Sequence, residues 1–124
     1  MFMVDPNTKT IRMHRGDTGS LTIRVTGYTY GEDDRAVFTV KSPSGTVVME
    51  RVYPLAENAF VVTFANGDTD YLAAGNYKWD VRYVVDPTYV DGKITDGPGV
   101  ATPRDPSNPE RAFDLILYDT VGQI

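Results

Sequence analysis

The chain has 124 residues, a net charge of −5 and no cysteine. This length favours one domain, 1–124, which buries roughly two-thirds of the surface that its unfolded form exposes. Without cysteine there is neither a disulfide framework nor a thiolate zinc site, and we expect synthesis in a reducing compartment. The basic residues are scattered along an acidic chain, so no patch attracts a phosphate backbone, and we predict no nucleic-acid partner.

Short alternating runs rich in aromatic and β-branched residues predict strands along most of the chain. Residues 1–7 are predicted to form a loose N-terminal arm that ends in a turn at Asp5-Pro6-Asn7. The next predicted strands are 8–14, 20–26, 35–41, 46–53 and 59–65. Their predicted inward residues are Leu21, Ile23, Val25, Ala36, Phe38, Val40, Phe60, Val62 and Phe64. The alternation in 46–53 is blurred, which predicts an edge strand or a bulge.

The segment 66–85 carries the strongest pattern in the chain. A turn, whose best helical candidate is 69–73, leads into a Leu-x-x-Gly-x-Tyr corner at Leu72, Gly75 and Tyr77. A strand follows whose large side chains recur every second residue and therefore share one face. These side chains are Tyr77, Trp79, Val81, Tyr83 and Val85. A central core strand with a corner tyrosine is typical of immunoglobulin-like sandwiches.

The C-terminal part is predicted to contain a hairpin, a proline-rich excursion and a last strand. The Asp91-Gly92 pair predicts a two-residue hairpin, with the strand from Asn76 continuing to Val90 through a bend at Pro87. Residues 97–111 contain four prolines, which cannot donate to a strand ladder, so we predict an irregular loop or an arm that packs on another subunit. The last predicted strand is 112–118, with Phe113, Leu115 and Leu117 on one face.

Together these elements predict an all-β protein. Seven or eight strands with regular turns favour an immunoglobulin-like antiparallel β-sandwich with a Pro-rich insertion before the last strand, and a closed barrel is the alternative. No stretch approaches the roughly 20 apolar residues of a membrane span. The N-terminus lacks the basic start and apolar run of a signal peptide, so we expect none.

No residue pattern specifies a reaction. A Ser-His-Asp triad would have to use His14, the single histidine, which is predicted to face outward from a strand. Only oxygen ligands are available for a metal, so calcium is the plausible ion, but the acidic residues match no calcium-binding loop. The acidic candidates are Glu32, Asp33, Asp34, Asp68, Asp70, Asp86, Asp91 and Asp96. We therefore predict no catalytic, cofactor-binding or metal-binding residues, although a carboxylate hydrolase using Asp33 or Asp68 is a third hypothesis.

Tyrosines in loops and at strand ends allow a second hypothesis, a carbohydrate-binding sandwich that stacks aromatic rings on sugars. The candidate rings are Tyr28, Tyr30, Tyr53, Tyr71 and Tyr89. The simpler interpretation is that they plug the ends of the sandwich, with the ring buried and the hydroxyl in water. Arg15-Gly16-Asp17 spells the integrin-binding tripeptide, but Gly-Asp is ordinary turn chemistry and we predict a turn.

The order of these motifs resembles a known family. The matching motifs are Arg15-Gly16-Asp17-Thr18, residues 38–41 before Ser-Pro-Ser-Gly, Asp68-Thr69, residues 72–81 and Asp91-Gly92-Lys93. They are similar to those of the small immunoglobulin-like proteins of phages and prophages, of which the N-terminal domain of baseplate upper proteins is one form. The resemblance implies a non-enzymatic structural module of a virion (tail, baseplate or head-associated), made in the bacterial cytoplasm. Its expected partners are other virion proteins or further copies of itself.

Overall fold

Eleven strands and one helical turn make up the regular structure of the computed structural model, which describes residues 1–122. The elements are β1 (Phe2–Val4), β2 (Ile11–His14), β3 (Gly19–Arg24), β4 (Arg35–Lys41), β5 (Val47–Pro54), β6 (Ala59–Phe64), α1 (Asn66–Thr69), β7 (Gly75–Val85), β8 (Thr88–Val90), β9 (Lys93–Asp96), β10 (Gly99–Ala101) and β11 (Phe113–Tyr118). The predicted all-β class is confirmed, and the sheets have a sandwich-like arrangement. Residues 123–124, the end of the predicted domain, lie outside the described residues. Within 1–122, no helix is long and apolar enough to cross a membrane.

The larger sheet has the strand order β1-β2-β11-β7-β4-β5. The short β10 pairs with the same edge of β7 as β11, because β4 occupies the other edge. A second sheet consists of β3 and β6 alone, and β8 and β9 form a separate hairpin. The pair of β2 and β11 is parallel. The prediction of a wholly antiparallel sandwich is therefore wrong at this pair, because side-chain alternation carries no information about relative strand direction.

The strand β7 supplies the centre of the core, as predicted. Tyr77, Trp79, Val81 and Tyr83 are buried on one face. The indole of Trp79 is 5% exposed and lies 5.5 Å from the Phe38 ring, centroid to centroid. Its ring also contacts the half-buried Phe113, so the indole of β7 packs against side chains of both neighbouring strands, β4 and β11.

The other predicted core faces are confirmed as well. On β4 and β6 every second residue is buried, and on β3 the inward residues are half-buried against the same core. The strand β5 ends the larger sheet, and its register with β4 shifts between Val40 and Lys41. Both features predicted for residues 46–53 are therefore present, since this strand is an edge strand and lies beside a bulge.

The predicted N-terminal arm is wrong, because residues 2–4 form β1 and pair with β2. Phe2 packs on Phe64, with ring centroids 5.6 Å apart. Gly19 permits this packing, since a Cβ at that position would lie 2.2 Å from the Phe2 ring. The predicted strand 8–14 begins only at Ile11, because Lys9 has a φ of 62° in the preceding turn. A three-residue strand was too short to distinguish from a loose arm by periodicity.

The proline-rich excursion is irregular only in part. Its residues 99–101 form β10 and pair with β7, so the prediction of an irregular loop over 97–111 is wrong there. These residues lie between Pro98 and Pro103, where every N–H is present and a ladder can form. Gly97 lies against the outer face of β7, since a Cβ there would lie 2.6 Å from Val84 Cγ1. This contact explains why Val84 is buried against the alternation of its strand.

Two smaller predictions also need correction. The helical turn is Asn66–Thr69 instead of 69–73. The Asp68 carboxylate accepts a hydrogen bond from the Ala65 N–H, which starts the turn earlier. The strand of Asn76 does not continue to Val90, because Asp86 has a φ of 46° and ends β7. The hairpin itself is confirmed, and Asp91 and Gly92 have the two positive φ values of the predicted turn.

Candidate protein interaction groove

One side of the sandwich, between β5 and β6, is closed by side chains. The Arg51 guanidinium donates a hydrogen bond to the Thr63 carbonyl oxygen on the edge of β6. It also pairs with Asp68, at 2.7 Å between Nη2 and Oδ1. Burial alone would raise the pKa of Asp68, but the bonds from Arg51 and the Ala65 N–H lower it below its ordinary value. The Thr63 carbonyl, at the outer edge of β6, is therefore occupied by a fixed cation.

The opposite side of the sandwich, beside β3, has a groove of about 400 Å³. Residues 21–24 of β3 form one wall, and Trp79, Val81 and Tyr83 of β7 form the floor. Phe113, together with residues of the N-terminal turn and the proline-rich segment, forms the opposite wall. The two-residue alternation of β7 is what brings three large side chains to this floor. We call this feature the β3 groove.

Contacts at both ends of β3 show which of its residues exchange backbone hydrogen bonds with β6. The Val25 N–H donates to the Asn58 carbonyl oxygen, at 2.8 Å. Bonded and non-bonded pairs alternate in an antiparallel ladder, so Ile23 and Leu21 also exchange bonds with β6. Thr63 supports the same assignment independently. Its carbonyl faces Arg51 and so points away from β3, which makes Thr63 and its partner Ser20 a non-bonded pair.

The remaining residues of β3 turn their backbone groups toward the groove. Ser20, Thr22 and Arg24 belong to the non-bonded pairs, and therefore direct an N–H and a C=O each to the open edge. Among the described residues 1–122, no backbone group of another element forms a hydrogen bond with them. Such an edge is a template for another extended strand.

The charges at the β3 groove have one sign. Lys9 and Arg24 line it, and none of the described residues that line it is acidic. This is notable for a protein of net charge −5. The Lys9 ammonium rests on the Pro6 carbonyl oxygen at 2.7 Å, and the Lys9 carbonyl accepts from Trp79 Nε1 at 3.1 Å. The groove therefore combines an apolar floor, an unpaired strand edge and two cationic side chains.

A second depression lies next to the proline-rich segment, but its charges pair with one another. Arg111 contacts Asp114 at 2.6 Å, and Lys78 contacts the same carboxylate. Arg104 pairs with Asp80 at 2.9 Å. Arg104 thus joins the segment to β7 and Arg111 joins it to β11, so these charges are compensated, unlike those of the β3 groove.

The acidic residues considered as metal ligands or catalytic groups do not come together. Asp33 is exposed, whereas Asp34 is buried and accepts bonds from the N–H groups of Gly31 (2.6 Å) and Asp86 (2.9 Å). Asp68 is held in its ion pair with Arg51 on another side of the molecule. Among the residues that the structure describes, no group of three or more His, Asp or Glu side chains could hold a metal ion.

The candidate tyrosines differ in exposure. Tyr30 is only 6% exposed, so its ring is buried, as the simpler interpretation predicts, and it is not available to stack on a sugar. It packs between Tyr28 and Tyr83, at centroid distances of 4.7 and 5.6 Å, and so plugs the sandwich end. Burial, with Tyr28 and Asp34 nearby, raises the pKa of Tyr30.

The other candidate rings lie apart in the sequence and on different elements. Tyr53 stacks on Phe60, with centroids 5.3 Å apart and ring planes 24° apart. Tyr71 and Tyr89 are at least half exposed, on the turn after α1 and on β8. Among the predicted rings, Tyr28 is more than half exposed and also contacts another aromatic ring.

The motifs near the first turn have structural contacts. The His14 ring packs on Tyr118, and its Nδ1 lies 3.7 Å from an Asp17 oxygen. The turn predicted at Arg15-Gly16-Asp17 is present, and Gly16 has a φ of 80°. Arg15 reaches across to Asp119 at 2.8 Å. Burial opposes ionisation of Asp17, but bonds from the N-terminal ammonium and the His14 N–H lower its pKa.

Comparison with known proteins adds no assignment. No protein-family model matches the chain, and a search of curated proteins found no match. Sequence reasoning did not find the β3 groove, because alternation identifies β3 as a strand but does not say that it has one neighbour. The charges of Lys9 and Arg24 were visible, but they lie 15 positions apart and only the fold brings them to one groove.

Proposed function

We propose that this protein is a non-enzymatic structural and interaction module of a phage or prophage virion, acting in the tail, baseplate or head through protein–protein contacts. The observation that carries the proposal is the β3 groove, which combines unpaired backbone groups with an apolar floor. Exposed strand edges of this kind recognise other polypeptide chains. The virion context rests on the motif resemblance alone.

We also infer that the sandwich is of the immunoglobulin-like kind. Two contacts support this inference. The Tyr77 hydroxyl donates to the Ala73 carbonyl, four residues upstream, at 2.7 Å, in the manner of a tyrosine corner. The single tryptophan lies on a central strand and is buried between the sheets.

The virion role is tested on particles. Phage particles are induced from the bacterium that carries the gene, purified by density gradient and analysed by mass spectrometry. We expect the protein at a stoichiometry comparable to that of tail or head proteins. Deletion of its gene should produce particles that lack a defined substructure in electron micrographs. Absence of the protein from particles that are otherwise complete would refute the virion role.

The second candidate is a carbohydrate-binding sandwich, and one observation favours it. Tyr28 is 54% exposed and is supported edge-on by the buried Tyr30, so its ring is held in place without being covered. A glycan array decides between the two candidates. Binding that is lost on Tyr28→Ala but kept on Tyr89→Ala, a change at another half-exposed ring, would favour sugar recognition.

A further inference from the structure

We propose that the β3 groove is a strand-acceptor site, which binds an extended acidic segment of a partner protein with apolar residues at alternate positions. The segment pairs with the open edge of β3 and completes the smaller sheet. This inference rests on the proposed function in one respect, namely that the ligand is another polypeptide. The argument depends on backbone groups, on shape and on charge.

Backbone pairing provides the affinity. Ser20, Thr22 and Arg24 present their N–H and C=O groups at every second residue, which is the spacing that an added β-strand requires. The edge lacks the usual protection, because it contains no proline and no bulge and is six residues long. Phe2 packs against its first residue, Gly19.

The floor of the groove selects the side chains. An extended segment next to β3 turns every second side chain toward the larger sheet. There it meets Trp79, Val81 and Tyr83, which line the groove but are only 2–6% exposed, so the contact is with the small part of each side chain that the core leaves uncovered. The groove volume of about 400 Å³ accommodates a few such side chains and not a large folded element.

The charges select an acidic occupant. Lys9 and Arg24 are the charged residues that line the groove, so carboxylates of the incoming segment gain attraction there and lysines are repelled. The same charges disfavour a second copy as the ligand. A second copy would present the β3 sequence GSLTIR, which contains no acidic residue and so offers no carboxylate to Lys9 and Arg24.

The test uses the purified full chain and a capped hexapeptide in which Glu and Val alternate. Backbone amides are followed by hydrogen exchange and NMR, and the single tryptophan, Trp79, reports on the groove floor by fluorescence. In the free protein we expect fast exchange at Ser20, Thr22 and Arg24 and slow exchange at Leu21 and Ile23. The peptide should slow the first three and shift the Trp79 emission.

Two control peptides separate the contributions. The peptide N-methylated at its Glu residues, whose N–H groups face Ser20, Thr22 and Arg24 when Val faces the floor, cannot donate hydrogen bonds to the β3 edge and should not bind. The peptide in which Lys and Val alternate keeps the backbone and the apolar side chains but reverses the charge. We expect it to bind about fivefold more weakly or worse, as for the loss of one exposed ion pair.

A charge-swapped variant tests the direction of the selectivity. Arg24 is exposed, so Arg24→Glu should fold normally. It should lose preference for the Glu/Val peptide and gain affinity for the Lys/Val peptide. The control is Arg82→Glu, which makes the same charge change at an exposed position of β7 outside the groove, and should leave both affinities as in the wild type.

Three results would overturn the proposal. The first is slow exchange at Ser20, Thr22 and Arg24 in the free protein. The second is absence of protection by the Glu/Val peptide. The third is protection of the same amides by protein concentration alone, with a dimer in sedimentation, which would make a second copy the occupant. None of these results bears on whether the protein is found in particles, so failure of this inference and failure of the virion role are distinguishable.

Discussion

The hydrogen bond at Tyr77 allows a quantitative prediction. Tyr77→Phe keeps the buried ring and removes only the hydroxyl that donates to the Ala73 carbonyl. Ala73 is exposed, so its carbonyl regains water and does not pay the penalty of an unsatisfied buried group. The cost should therefore equal the net value of one hydrogen bond, about 1 kcal/mol of unfolding free energy. For a chain of this size, that corresponds to a fall in Tm of about 4 °C.

The assay is urea and thermal unfolding of the wild type and of two variants, followed by circular dichroism and Trp79 fluorescence. The matched control is Tyr71→Phe, because Tyr71 is 66% exposed and its hydroxyl lies 3.4 Å from the Val48 carbonyl oxygen. That change should stay within about 0.5 kcal/mol of the wild type. If Tyr77→Phe were as stable as Tyr71→Phe, the corner would not contribute to the fold and the reasoning would be refuted.

Three further predictions concern buried or paired ionisable groups. Asp34→Ala leaves two loop N–H groups without their acceptor and should cost about 2 kcal/mol in urea unfolding, whereas Asp33→Ala, at the exposed neighbour, should be nearly neutral. The pKa of Asp68 is lowered despite burial, so its stabilising contribution is present above pH 3.8 and is lost as the pH falls through the folded-state pKa. In Asp68→Asn, the free energy of unfolding should therefore fall less steeply at acidic pH than in the wild type. Burial, with Tyr30 nearby, raises the pKa of Tyr83, so its contribution to the free energy of unfolding should be complete below pH 10 and decrease above it. Unfolding measured from about pH 9 to 12 should therefore depend less on pH in Tyr83→Phe than in the wild type.

Local sequence patterns predicted which side chains are buried and where the hairpin turns. The burial of Phe38, Trp79 and Leu115 follows from alternation along single strands, because each strand has one face on the core. The Asp91-Gly92 hairpin followed from the positive φ values that its turn requires. These are local properties, and a local pattern is sufficient for them.

Pairing between distant strands was not encoded in the same way. The parallel pair of β2 and β11 joins residues more than 100 positions apart, such as Arg12 and Ile116. Strand β1 was missed because three residues give no measurable period, and the contact of Phe2 with Phe64 is a tertiary one. Which of the loop tyrosines is buried could not be predicted for the same reason, since the burial of Tyr30 depends on its contact with Tyr83.

The two edges of the smaller sheet differ in a way that limits what it can bind. The Thr63 carbonyl at the outer edge of β6 is already bonded to Arg51, so a strand that pairs there must displace a cation held by Asp68. At β3 the edge is free, but Phe113 and the segment around Pro103 stand on the far side of the groove. A strand bound there would be enclosed on both sides and could not serve as an edge for another. Addition would therefore stop after one strand, which distinguishes a specific acceptor site from an edge that leads to aggregation.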